Sequence, residues 1–269
     1  MLIHNFDPVF IDFGVIEIKW YSLAYIFGVF LGWIYVKRII SKLKKNKLEY
    51  KPIEQSEFDD FLVYLVIGII LGGRMGYVIF YDLNFFRQNF FEIFKLWHGG
   101  MSFHGGLLGV IISSFIFSKI KKTNFFKYTD IVACAAPIGL FLGRIANFIN
   151  GELVGKVTTV PWAIIFPGFG NISRHPSQIY EAILEGVVLF VLINFLAFKK
   201  NLIIKTGYIS SFFLIAYSTL RIFSENFREP DQHLGYFFSY FSMGTLLSFL
   251  TLISGFIIIF FIKKNEQNY

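Results

Sequence analysis

Seven long apolar runs, at roughly 20–40, 57–81, 98–119, 128–149, 177–198, 206–226 and 240–262, occupy most of this 269-residue chain. A helix needs about 20 such residues to cross the hydrocarbon of a bilayer, where each backbone N–H and C=O must find its partner inside the segment. Little chain is left over for a water-soluble fold. Only 16% of the residues are charged, against roughly 25% in soluble domains. The pattern predicts an all-α integral membrane protein of about seven transmembrane helices, with residues 1–269 as one membrane-embedded domain. Residues 150–176 hold Gly151, Gly155, Pro161, Pro167, Gly168, Gly170 and Pro176. Such punctuation predicts an ordered, irregular extracytoplasmic cap, with Val157–Val160 and Trp162–Phe166 as short-strand candidates.

The basic residues alternate with the runs. Lys37, Arg38, Lys42, Lys44, Lys45, Lys47 and Lys51 follow the first run, and Lys119, Lys121, Lys122 and Lys127 follow the third. Lys199, Lys200 and Lys205 follow the fifth, and Lys263 and Lys264 the seventh. The opposite connections hold only Lys19, Arg87, Lys95, Lys156, Arg174 and Arg228. By the positive-inside rule the N-terminus is outside and the C-terminus cytoplasmic. The net charge of +7 is therefore a topology signal that faces lipid headgroups, and no nucleic-acid partner is expected. The first 19 residues carry Asp7, Asp12 and Glu17 with no basic start, so no cleavable signal is expected. The single cysteine, Cys134, excludes a disulfide scaffold and is expected to be a small core residue.

Ionisable side chains within membrane runs are costly and are candidates for function. At about 1.5 Å per residue, Arg74, His104, Arg144, Arg221 and Glu225 all fall in the outer third, although their runs enter from opposite sides. Glu181 and Tyr21 begin their runs at the same level. Tyr217, Arg221 and Glu225 share one helical face, as do Arg144 and Asn147. Blander readings stand beside these: an Arg221–Glu225 pair that only fixes packing, an Arg74 capped at a glycine-rich helix contact, and a His104 satisfied in the core. His98 and His104 have no third ligand at metal-site spacing, so no metal is expected. No serine elbow or nucleotide phosphate loop is present. Arg144 has no acidic residue near it in sequence on its own helical face, so an anionic lipid phosphate is its expected counter-ion.

Several segments together resemble the bacterial prolipoprotein diacylglyceryl transferases. They are Trp20–Tyr25, Met101–Gly106, Gly143–Glu152, His175–Glu181 and Phe227–Asp231. Ala146 and Ser22 stand where that family often has glycine, which affects helix contact and removes no reacting group. The resemblance implies transfer of the diacylglyceryl group of phosphatidylglycerol to the lipobox cysteine thiol in a prolipoprotein signal peptide. The products are a thioether and glycerol phosphate, and no cofactor is required. It implies a bacterial inner-membrane location. It also implies that Tyr21, His104, Tyr217, Arg221 and Glu225 serve the chemistry, with Arg144, Asn147, Glu152 and Arg221 binding phosphatidylglycerol. The competing reading is a transporter or channel built on the intramembrane charges, which would need polar residues through the whole thickness. A pure scaffold would present no polar opening.

Overall fold

The computed structural model describes residues 2–14, 17–45, 53–96, 99–230, 236–237 and 241–267, without the side chains of residues 103, 104, 236 and 237. Helices stand in all seven apolar runs: α1 (Trp20–Lys45), α2 (Gln55–Phe80), α4 (Phe103–Ile120), α5 (Phe125–Ile149), α6 (Ser177–Lys199), α7 (Tyr208–Glu225) and α8 (Met243–Gln267). A short α3 (Leu83–Gln88) lies in the connection after α2. Five of them, α1, α2, α5, α6 and α8, are long and apolar enough to span a membrane. The other two, α4 and α7, are 18 residues each. Phe256, Phe260 and Phe261 of α8 are exposed, which water would penalise and lipid does not. The chain is a multi-pass membrane protein.

The chain forms two compact units, residues 40–129 and residues 1–39 with 130–269. In the first unit α2 and α4 touch backbone to backbone. A Cβ at Gly72 would overlap the Gly105 carbonyl, and one at Gly109 would overlap that of Gly68. Membrane helices associate through such small-residue contacts because lipid gives no hydrophobic drive between them. Arg74 is buried here, and its donors go to backbone carbonyls. Nε reaches Ile93 at 2.8 Å, Nη2 reaches Glu92 at 2.5 Å, and Nη1 reaches Gly100 at 3.0 Å and Gly99. It folds the segment ahead of α4, as the capped-arginine reading expected.

In the second unit the N-terminus joins a small sheet that the sequence did not announce. Strand β1 (Leu2–Ile3) pairs in parallel with β4 (Ile164–Ile165), which pairs antiparallel with β5 (Ser173–Arg174). Strands β2 (Val9–Asp12) and β3 (Glu17–Lys19) form a hairpin before α1. Of the two strand candidates, Trp162–Phe166 contains β4, whereas Val157 makes only an isolated bridge to Arg174. Residues 182–188 and 195–199 within α6 wind as π turns. Cys134 is buried. Its carbonyl accepts from Asn194 Nδ2 at 3.1 Å, close to Pro137, which cannot donate within α5.

The start of α7 has no side-chain cap of its own. Asp130 of α5 supplies one across the bundle, accepting from Gly207 N at 2.6 Å and from Ser210 N and Oγ at 2.7 Å each. It is 1% exposed. Asp130→Ala would leave these donors without an acceptor, at about 1–3 kcal/mol for each buried group. The variant is expected to melt well below wild type in detergent, and an unchanged melting point would show that the cap is dispensable.

Candidate active site

Three helices converge on one charge cluster in the second unit. Arg144 of α5 reaches Glu181 Oε2 through Nε at 3.0 Å and Glu185 Oε2 through Nη2 at 3.0 Å. Arg221 of α7 reaches Glu181 Oε2 at 2.8 Å and Glu185 Oε1 at 3.1 Å through Nη1, and Glu225 Oε1 at 2.6 Å through Nη2. Arg228, just beyond α7, approaches Glu181 Oε2 at 3.7 Å. Three guanidinium groups thus face three carboxylates. An isolated charge among apolar helices costs several kcal/mol, and the opposite sign at hydrogen-bond distance offsets that cost.

The members are not equally hidden. The side chains of Glu181 and Glu185 are 1% and 0% exposed, and that of Arg144 is 16% exposed. Glu181 and Glu185 are therefore the buried centre of the cluster, and Arg144 is its most exposed member. Tyr217 feels Glu185, Arg221, Arg144 and Glu181 electrostatically, and its ring stacks on Phe213. Asn147 Nδ2 donates to Glu152 Oε1 at 2.7 Å, and Gln178 Nε2 holds the Glu152 carbonyl at 2.6 Å. Tyr25 donates to Tyr21 at 3.1 Å and is coupled electrostatically to Glu152 and Arg144. A cavity of about 200 Å³ opens beside Glu225, lined among others by Lys156, Asn226, Ser242 and Thr245.

Non-helical chain pins the rim beyond the end of α7. Gly155 N donates to the His175 carbonyl at 3.1 Å, Lys156 N to that of Phe227 at 2.9 Å, and Glu229 N to that of Val154 at 3.1 Å. Arg174 Nη1 bonds both the Gly155 carbonyl and Glu229 at 3.1 Å. These ties fix the segment that carries Arg228. The Tyr180 hydroxyl accepts from Trp162 Nε1 at 2.6 Å and is hydrogen-bonded to His175 Nδ1 at 3.1 Å. Burial holds the His175 imidazole below its ordinary value, so the ring is neutral at pH 7.

A profile of the prolipoprotein diacylglyceryl transferase family matches residues 8–261. The chain belongs to that family. A phosphatidylglycerol–prolipoprotein diacylglyceryl transferase of Allorhizobium ampelinum is 48% identical over 250 residues, covering 93% of this chain and 87% of its own. The Rickettsia bellii protein of the same name is 46% identical over 266 residues, covering 99% and 98%. That of Paramagnetospirillum magneticum is 47% identical over 252 residues, covering 93% and 91%. Membership in the diacylglyceryl transferases supports the enzyme reading over the transporter.

Within this transferase cluster one expectation is overturned. Arg144 does not lack a protein counter-ion, because Glu181 and Glu185 supply it from α6. Sequence proximity was the wrong guide, since the partners lie on another helix. Glu185 escaped the sequence reading, although two acids at i and i+4 inside an apolar run were a usable signal. Arg228 was assigned to a loop, and its reach to Glu181 depends on the rim. Tyr21, Arg144, Asn147, Glu152, Tyr217, Arg221 and Glu225 all lie in the unit that holds the cluster. His104 belongs to the first turn of α4 in the other unit, and its side chain lies outside the described residues, as does His98.

Glu185→Ala would leave Arg144 and Arg221 undercompensated. Breaking one side of a buried pair costs about 3–5 kcal/mol. Glu229 is 44% exposed in its pair with Arg174, and exposed pairs contribute about 0–1 kcal/mol. Melting in detergent is expected to fall far more for Glu185→Ala than for Glu229→Ala. Equal shifts would mean that the cluster is not the electrostatic centre of the bundle.

Proposed function

We propose that this chain moves the diacylglyceryl group of phosphatidylglycerol onto the lipobox cysteine thiol of a prolipoprotein, the first step of bacterial lipoprotein maturation. The cysteine sulfur gives up its proton, because the thiolate is the nucleophile. Sulfur then bonds to the glyceryl carbon. The bond from that carbon to the phosphate oxygen breaks, and its electron pair leaves with glycerol phosphate. Charge therefore grows on the phosphate as the bond lengthens, and fixed guanidinium donors in a water-poor site stabilise it best.

The observation that carries this reading is the cluster that gathers Arg144 and Arg221 on the buried Glu181 and Glu185, with Arg144 its most exposed member. Arg144 and Arg221 bind the phosphate, and Glu181, Glu185 and Glu225 set their orientation. Asn147 and Glu152 bind the polar part of the lipid, and Tyr21 and Tyr217 donate hydrogen bonds. His104 takes or relays the thiol proton. Its support is the family segment Met101–Gly106 and its place in the outer third of its run. The enzyme works in the inner membrane with seven spans and residues 150–176 as an extracytoplasmic cap.

Arg144→Lys keeps the charge but loses the planar fork that meets phosphate and carboxylate oxygens in pairs. With phosphatidylglycerol and a lipobox peptide, the purified variant is expected to lose about 10²–10³ in kcat, the usual cost of one developing-charge donor. A folded variant working near the wild-type rate would remove bidentate phosphate recognition from Arg144.

Topology has its own test. Cysteines placed one at a time in 150–176 are expected to react with an impermeant thiol reagent in whole cells. Those in 41–56 should react only after permeabilisation, and the opposite result would invert the orientation.

A further inference from the structure

The Glu225 carboxylate is seated against backbone on its far side. Gly244 lies in the first turn of α8, and a Cβ built there would overlap Glu225 Oε1. It would also come within 2.9 Å of Glu225 Cδ and 3.5 Å of Arg221 Nη2. That Oε1 is the atom that accepts from Arg221 Nη2 at 2.6 Å. The first turn of α8 thus backs the Glu225 carboxylate on the Gly244 side, and its positive end favours the carboxylate.

The approach is built into the helix pair. Gly244, Ser248, Thr251 and Gly255 follow one another along a single face of α8. Ser218 of α7 meets Thr251 Oγ1 at 2.5 Å, and a Cβ at Gly255 would lie 2.7 Å from Ile215 Cγ1 and 3.0 Å from the Ser211 carbonyl. Small residues bring membrane helices this close. Only Gly244 touches the charge cluster; Gly255 serves the packing alone.

We infer that Gly244 is a positioning residue, which holds Glu225 on Arg221 and through it sets the guanidinium that the proposed function assigns to phosphate. A methyl group at 244 leaves α8 on α7 and turns the Glu225 carboxylate away. The turned side chain has somewhere to go, because the cavity lined by Ser242 and Thr245 adjoins it. Arg221 keeps Glu181 and Glu185 but loses its third brace.

A double-mutant cycle tests this, since coupling appears only between sites that share an interaction. Gly244→Ala, Glu225→Ala and the double variant are purified in detergent and compared for melting temperature, and for kcat and KM with phosphatidylglycerol and a lipobox peptide. Gly244→Ala is expected to lower kcat at least tenfold with peptide KM within twofold of wild type, and to lower the melting temperature. In the Glu225→Ala background it is expected to cost neither further activity nor further stability. Gly255→Ala, the packing control, is expected to lower the melting temperature equally in both backgrounds. Equal losses from Gly244→Ala in both backgrounds, or wild-type kcat in the single variant, would overturn the role. The melting cycle needs no turnover, so it separates failure of this inference from failure of the proposed function.

Discussion

Taking an ion out of water into an apolar bundle costs several kcal/mol even after the protein relaxes. The protein meets that cost for its arginines in two ways. Arg74 is saturated by carbonyl oxygens of one folded-back segment. Such a group is fully employed and has little left to offer a ligand. Arg144 and Arg221 are compensated by buried carboxylates. The second arrangement leaves Arg144 partly exposed, at 16%.

The rest of the second unit follows from keeping that arrangement in place. Arg221 and Glu225 end α7, so any slippage of this helix would pull the cluster apart. Its N-terminal end is held by Asp130 from α5. Its C-terminal end runs into the rim, where Gly155, Lys156 and Glu229 exchange backbone hydrogen bonds with residues around it. The polar side of α7, with Ser218, Arg221, Ser224 and Glu225, is buried, and Phe223 is exposed. That is the reverse of a helix in a soluble protein, and it suits a lipid solvent.

Apolar run length located a helix in each of the seven runs, five of them long and apolar enough to cross a bilayer, where little else is allowed over such stretches. Counting rise per residue grouped Arg144, Arg221 and Glu225 with Arg74 and His104; Arg144 and Arg221 share Glu181 and Glu185 of α6 and Glu225 pairs with Arg221 directly, whereas Arg74 is capped by carbonyls in the other unit. Local spacing showed the Arg221–Glu225 pair but not Glu185, which braces both arginines from another helix. Arg144 and Glu185 are 41 positions apart, and nothing local in either run points to the other. The β1–β4 pairing was equally hidden, because two-residue strands carry no alternation to read. Gly244 looked like any other small residue in an apolar helix, and its meaning comes from the atom opposite it.

The π turns of α6 begin directly after Glu181 and enclose Glu185. Each such turn carries more residues than an α turn, so it shifts the angular phase of everything on either side. Removing one residue between 186 and the end of α6 would leave both acids on Arg144 while rotating the remainder of the helix by ~100°. Removing one residue between the two acids would turn Glu181 by the same angle away from Glu185. Chain length between positions 181 and 185 is therefore constrained independently of residue identity. Substitutions there can be absorbed by repacking against lipid, but insertions and deletions cannot.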